Sequence, residues 1–350
     1  MSASNGSSGA PGKIVCMFIM ISLQKRDDRM WSYVAAGCVL LIVIVSANLL
    51  GSHVFRRMIL GKRSLPEDSF ATVEGMGLMS RGEFEALPKE EASILSKDGF
   101  RLRGYYIEPH PGGRKVVIIV HGYTANHGFS SQFIRLFADE GFNVLLIDQR
   151  SHGRSEGRYA TYGYYEREDL DAWIEWVRHR VGEDAYIGLH GQSMGGGTVL
   201  MHAGMDPDIR FIIADCPYSD LEKLMRYQLK DLNRVPIFPF MGMLDRRLRR
   251  RAAFSMRDVK PIERIREQEV PLLLIHGGKD DFVPTSMSVE LYHAKTKGIR
   301  RLHIVDDAVH AGAYPTDPEG YREAVSQFLA EVREQERRER LPESAAAVEG

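Results

Sequence analysis

The feature that most constrains the fold is a series of short apolar runs beginning at residue 116. Val116–Val120 reads Val-Val-Ile-Ile-Val. A strand with no polar position has no face to give to water and must be covered on both sides. Val144–Ile147, Ala185–Leu189, Phe211–Ala214, Leu272–Ile275 and Leu302–Val305 read in the same way. Between them lie longer segments of helical periodicity: Ser130–Glu140, Tyr165–Arg180, Met194–Ala203, Ser286–Lys295 and Gly320–Arg333. Strand and helix in alternation predict an α/β fold, with a mostly parallel sheet and helices on both faces. Sites in such sheets form beyond the C-terminal ends of the strands. Ile94–Ser96 and Arg101–Ile107 flank the turn dipeptide Asp98-Gly99 and predict an opening hairpin.

One stretch breaks this rhythm. Between Ser219 and Val270 no strand pattern is visible, which predicts a cap over roughly residues 219–269 within a domain spanning 91–335. The cap holds the apolar Ile237–Met241 and the basic run Arg246–Arg251, the latter read as a solvated face. Residues 336–350 read as a disordered tail and 56–90 as a juxtamembrane linker.

Upstream, no Asp, Glu, Lys or Arg occurs between Arg29 and Arg56. About 20 apolar residues are enough to cross a bilayer core of roughly 30 Å, so 30–55 is expected to be a transmembrane helix, with Trp31 and Tyr33 suited to its interface. A signal peptide is the rival reading, with Val45 and Ala47 before the cleavage site and a secreted product. A buried core helix is the third. Residues 1–29 then form a disordered segment or, if translation starts at Met30, an extension outside the native protein. Lys25, Arg26 and Arg29 on one side balance Arg56, Arg57, Lys62 and Arg63 on the other, so charge assigns no orientation.

The formal net charge of -1 gives no electrostatic basis for nucleic-acid binding. Of Cys16, Cys38 and Cys216 only the last lies in the expected domain, which therefore has no internal disulfide.

The chemistry-bearing motif is Gly191-Gln192-Ser193-Met194-Gly195. It follows the apolar strand and precedes a helix rich in small residues, the strand–turn–helix setting of a nucleophile elbow. A serine hydroxyl needs a base within hydrogen-bond reach, and the base needs an orienting carboxylate. His303 sits inside the last strand and reads as structural, whereas His310 lies in the loop after it, where a base belongs. The loop after Leu272–Ile275 carries two adjacent aspartates, Asp280 and Asp281, with Asp215 and Asp307 as further candidates. Oxyanion donors are expected from the backbone N–H of Met194 and from the loop His121-Gly122-Tyr123, with Tyr123 the donor.

Across roughly 90–335 the chain resembles the α/β-hydrolase superfamily. The resemblance rests on four motifs in order: His-Gly-Tyr at 121–123, Asp-x-Arg-x-His-Gly-x-Ser at 148–155, Gly-x-Ser-x-Gly at 191–195, and His-Gly-x-x-Asp-x-x-Val-Pro at 276–284. It implies that the acid is Asp280 rather than Asp281. It also implies hydrolysis of carboxylic esters, thioesters or amides with no metal or organic cofactor. Ser151 departs from the glycine usual at its position, and the 121–123 loop lacks the glycine run of many carboxylesterases.

Three functions compete. The first is a membrane-anchored serine esterase or thioesterase acting on small-molecule or lipid acyl esters through an acyl-enzyme. The second is a serine peptidase on the same fold, and the third a non-catalytic binding protein.

Overall fold

The computed structural model describes residues 11–59 and 64–340. The chain divides into two units, Met1–His53 and Val54–Gly350. The first is helical from residue 11, within the helix Pro11–Ile59, so residues 11–29 take helical structure where a disordered segment was one expectation. Arg29–Arg56, with a mean hydropathy of 2.4, is long and apolar enough to cross a membrane by length and composition. A signal sequence near an N-terminus has the same properties.

The second unit is built on one eight-stranded sheet. Its strands are β1 (Lys89–Leu95), β2 (Arg101–Ile107), β3 (Lys115–Val120), β4 (Asn143–Asp148), β5 (Tyr186–Gln192), β6 (Ile209–Asp215), β7 (Leu272–Gly277) and β8 (Arg300–Val305). The spatial order is β1-β2-β4-β3-β5-β6-β7-β8. β2 pairs antiparallel with β1 and β4, and every other pair is parallel. The hairpin closes as expected around Asp98-Gly99, with Leu95 opposite Arg101.

The apolar runs divide residue by residue between two cores, as a period of two requires. Val117, Ile119, Val144, Leu146, Phe211 and Ile213 face one cluster, while Val116, Ile118, Leu145, Ile147, Ile212 and Ala214 face the other. Helix Pro318–Arg340 covers the first face with Tyr321, Val325, Phe328 and Val332. Helix Glu166–Val181 covers the second with Leu170, Trp173, Ile174 and Val177. Both sets follow the spacing that puts side chains on one helical face. After the β1–β2 hairpin the parallel part starts at β3, winds outward to β4, then crosses back to β5 on β3's other side. The strand order therefore reverses between β3 and β5, where a crevice opens beyond their C-terminal ends.

Two expectations are corrected. Of residues 56–90, 56–59 end the helix Pro11–Ile59 and 64–90 hold two further helices, Pro66–Gly75 and Arg81–Ala86, together with the start of β1, where a linker was expected. Phe70, Val73 and Phe84 drive this folding, since all three are buried in the first core. Helix Pro318–Arg340 also runs past residue 335, with Glu334 paired to Arg337 and Arg338 along its surface; residues 341–350 of the expected tail lie outside the described residues. Between β6 and β7 the described chain is helical, chiefly Leu221–Tyr227 and Ile237–Ala252, and contains no strand. Leu224, Leu244 and Leu248 pack with Tyr162, Met194 and Tyr218 in a third cluster.

Arg150 locks the loop after β4. Its guanidinium donates to both carboxylate oxygens of Asp169, at 2.6 and 2.7 Å, and to Asp98 at 3.1 Å. Arg150 and Asp169 are both buried, so removing the cation strands a buried carboxylate. Arg150→Gln is expected to lower the unfolding free energy by about 3–5 kcal/mol, read by urea denaturation.

Candidate active site

The turn after β5 carries Ser193 with φ 56° and ψ -114°. A non-glycine residue in this region costs on the order of 1–3 kcal/mol. Close packing enforces it. A Cβ on Gly191 would lie 2.2 Å from the Gly195 carbonyl oxygen, and one on Gly195 would lie 2.0 Å from that of Val120. Only glycine at both positions lets helix Met194–His202 start this close to the sheet. The Ser193 N–H donates to the Asp215 carbonyl at 2.7 Å, which ties the elbow to β6.

The Ser193 Oγ lies 2.8 Å from His310 Nε2. On the far side of the ring, His310 Nδ1 lies 2.7 Å from Asp280 Oδ2. An acceptor carboxylate fixes the Nδ1–H tautomer and leaves Nε2 free to take the serine proton. The choice between the two aspartates is geometric: Asp280 is buried and reaches His310, whereas Asp281 is exposed. Asp307 pairs with Lys279 on the surface, and Asp215 accepts from Gln192 Nε2 at 2.9 Å. His303 lies within β8, paired with Ile275 in register.

Asp280 is held by more groups than the motif suggests. Its Oδ1 accepts from the backbone N–H of Phe282 and Val283, at 3.0 and 2.8 Å. Its Oδ2 also faces His276 Nε2 at 3.1 Å. That nitrogen sits 2.9 Å from the Val283 carbonyl as well, so it carries the proton, and Nδ1 meets Ser288 Oγ at 2.6 Å. Burial pushes the Asp280 pKa up; the hydrogen bonds from His276 and His310 outweigh it and hold the carboxyl well below the usual range. Buried Asp215, with less support, is raised by desolvation to about 6. The sequence reading missed His276, although it stands four residues before Asp280 in the quoted motif.

Tyr123 lines the cleft beside Ser193 and His310, and Met194 is the first residue of its helix, where N–H groups have no intrahelical partner. His121 braces the Tyr123 loop. Its Nε2 accepts from the Gln149 N–H at 3.0 Å, so Nδ1 carries the proton and donates to the Gly122 carbonyl at 2.7 Å. Burial, then the neighbouring His152, lowers its pKa to about 3 and keeps it neutral. Gln149 in turn donates to the His121 carbonyl at 2.6 Å and accepts from Thr198 at 3.0 Å, joining two loops to the helix Met194–His202. Ser151 has φ 65°, the left-handed backbone that favours glycine at this point of the motif.

The cleft above Ser193 has a volume of about 250 Å³. One wall is Gly122–Ala125 with Phe129, and the other is Ser64, Asp68, Ser69 and Thr72 from the region once read as a linker. Pro at the first helical position and acids in the first turn of Pro66–Gly75 were the overlooked signal. A larger cleft of about 450 Å³, between this helix and Tyr105, has His127 in its lining, but that imidazole is paired to Asp148 at 3.0 Å and faces no nucleophile. Among the described residues, the donor set nearest to a metal site is Cys216, Asp280 and His310, with donor atoms within 4.8 Å. Asp280 and His310 are engaged with each other, and burial raises the Cys216 thiol well above its usual pKa, so no thiolate is offered.

Comparison with known proteins follows the same lines. A family model for the alpha/beta hydrolase fold matches residues 115–255, a span that contains Ser193 and ends before Asp280 and His310. The uncharacterized protein YqkD of Bacillus subtilis is 34% identical over 289 residues, covering 82% of this chain and 94% of that protein. The esterase Pf2001 of Pyrococcus furiosus superposes with a TM-score of 0.57 at 27% identity, covering 72% of this chain and 96% of the esterase. The acylaminoacyl peptidase of Pyrococcus horikoshii shares the fold at a TM-score of 0.52 and 20% identity, covering 71% of this chain and 42% of the peptidase. With a relative aligned along nearly its whole length and the family model seated on the elbow, the chain belongs to the α/β-hydrolase family of hydrolytic enzymes.

Proposed function

We propose that the chain is a serine hydrolase that cleaves carboxylic esters or thioesters through an acyl-enzyme. One observation carries this reading, the unbroken hydrogen-bonded series Ser193 Oγ, His310, Asp280, at 2.8 and 2.7 Å. His310 takes the serine proton as Oγ attacks the acyl carbon and gives it to the leaving alcohol or thiol. The N–H groups of Tyr123 and Met194 receive the oxyanion. Water then attacks the acyl-enzyme with the same histidine as base. A cleft of about 250 Å³ favours short acyl groups or one end of a longer chain. The helix containing Arg29–Arg56 is proposed as a membrane anchor; retention in the pellet after carbonate extraction supports it, and release into the supernatant sinks it.

A second reading has one supporting observation. Among the described residues Asp68 is the one carboxylate lining the cleft, and a carboxylate there suits a substrate with a free amine, as a peptidase would need. Rates on p-nitrophenyl esters against aminoacyl-coumarin amides separate the two. Faster amide turnover, reduced by Asp68→Asn, would favour the peptidase.

Three outcomes are expected. Ser193→Ala should abolish labelling by a fluorophosphonate probe and lower ester kcat by roughly 10⁵–10⁶; undiminished labelling would remove Ser193 from its role. Asp280→Asn should cost about 10⁴ in kcat, while Asp281→Asn stays within about twofold, and the reverse order would reassign the acid. Because the folded Asp280 pKa is depressed, its ionised form and the stability it contributes persist above the unfolded carboxyl value of roughly 4 and are lost only as pH falls through the folded value. The acid limb of kcat/KM against pH should therefore carry no ionisation from Asp280; an acidic ionisation that disappears in Asp280→Asn would contradict it.

A further inference from the structure

We propose that Arg167 and Arg264 form a binding site for a phosphate-type oxyanion, separate from the Ser193 cleft. They line an open cleft of about 510 Å³ with Tyr164, Met201 and Lys260. Arg167 belongs to the first turn of helix Glu166–Val181 and lies over the Tyr164 ring, 5.2 Å from its centroid. Arg264 comes from helix Pro261–Ile265.

Acids and bases nearly balance along the chain, 47 against 46, and Arg150 and Arg178 each meet a carboxylate, Asp169 and Asp206. Among the described residues no ion pair is formed by Arg167 or Arg264. The acids closest in sequence are committed elsewhere. Glu166 accepts from Thr161 and Gly163, Glu168 pairs with Lys97, and Asp169 with Arg150. Across the cleft, Glu263 is held by Lys260 at 2.7 Å, and Asp258 accepts from the Ser255 N–H at 2.8 Å. Arg257 on the rim pairs with Glu222.

Two forks of like charge thus line one cleft, whose carboxylates Asp258 and Glu263 are bonded to Ser255 and Lys260 instead. Desolvation and then the charge of Arg167 lower the Arg264 pKa, the direction expected of a cation facing another cation. An oxyanion between them would accept paired N–H bonds from both planar forks, and a phosphate dianion would match the two charges. A soluble phosphomonoester and a phosphatidic acid headgroup present this chemistry alike.

The test melts full-length protein in detergent while inorganic phosphate is raised at constant ionic strength with chloride. A second arm compares nanodiscs with and without phosphatidic acid. Wild type should gain Tm with phosphate or with phosphatidic acid, and the responding arm identifies the source. Arg167→Gln and Arg264→Gln should each weaken the apparent affinity at least about tenfold. In phosphate-free buffer the same variants should melt at or above wild type, because each relieves the repulsion; misfolding would instead appear as a lowered Tm without anion. An equal shift with chloride alone, a shift retained in both variants, no shift in either arm, or a phosphate-free Tm below wild type in both variants would overturn the site.

Discussion

The backbone of Ser193 is the constraint on which the site depends. Its positive φ is not a local preference; it is imposed where the helix Met194–His202 meets the sheet through two glycines with no room for a Cβ. The buried strands on either side make that imposition affordable. β3, β5 and β6 are packed on both faces, so the turn cannot relax without opening two cores at once. The strain is held at the sheet's reversal point, which is also where the loop after β3 comes alongside. Val120 is in register with Gly191, so the Tyr123 loop and the elbow leave the sheet at one level.

Around this point buried polar groups differ in the state they keep. His121 and His190 are buried with depressed pKa values and act as neutral struts. Asp280 remains ionised because four N–H groups converge on it, two from backbone and two from imidazole. Asp215, equally deep and one strand away, has one side-chain donor and is raised instead. The two carboxyls differ in supporting donors rather than in depth, and that difference makes one of them an effective partner for an imidazolium.

The sheet was legible because its strands are apolar on both faces, a pattern that few other structures produce. Ser193 and His310 were legible because an elbow and a loop after the last strand have positional meaning. Asp280 against Asp281 was not, since adjacent loop residues differ only in which way they point, and the direction is set by the backbone N–H groups of Phe282 and Val283. His276 was hidden because its work is done on another side chain. Residues 56–90 misled for a different reason: with helices of 10 and 6 residues, the segment is too short to show periodicity and is held by three aromatic and aliphatic anchors.

That segment has a bearing on how the molecule can be divided. Judged by its strands, the folded body begins near residue 90, and a shortened form would naturally be cut there. Such a cut would discard Phe70, Val73 and Phe84 from the core and strip Asp68, Ser69 and Thr72 from the mouth of the cleft. It would also sever Ser64, whose N–H and carbonyl meet Thr124 and Asn126 on the loop beside Ser193. The pocket's outer wall is therefore carried by the stretch of chain that a domain boundary drawn from strands would throw away, and a fragment that keeps this wall has to begin upstream of Ser64.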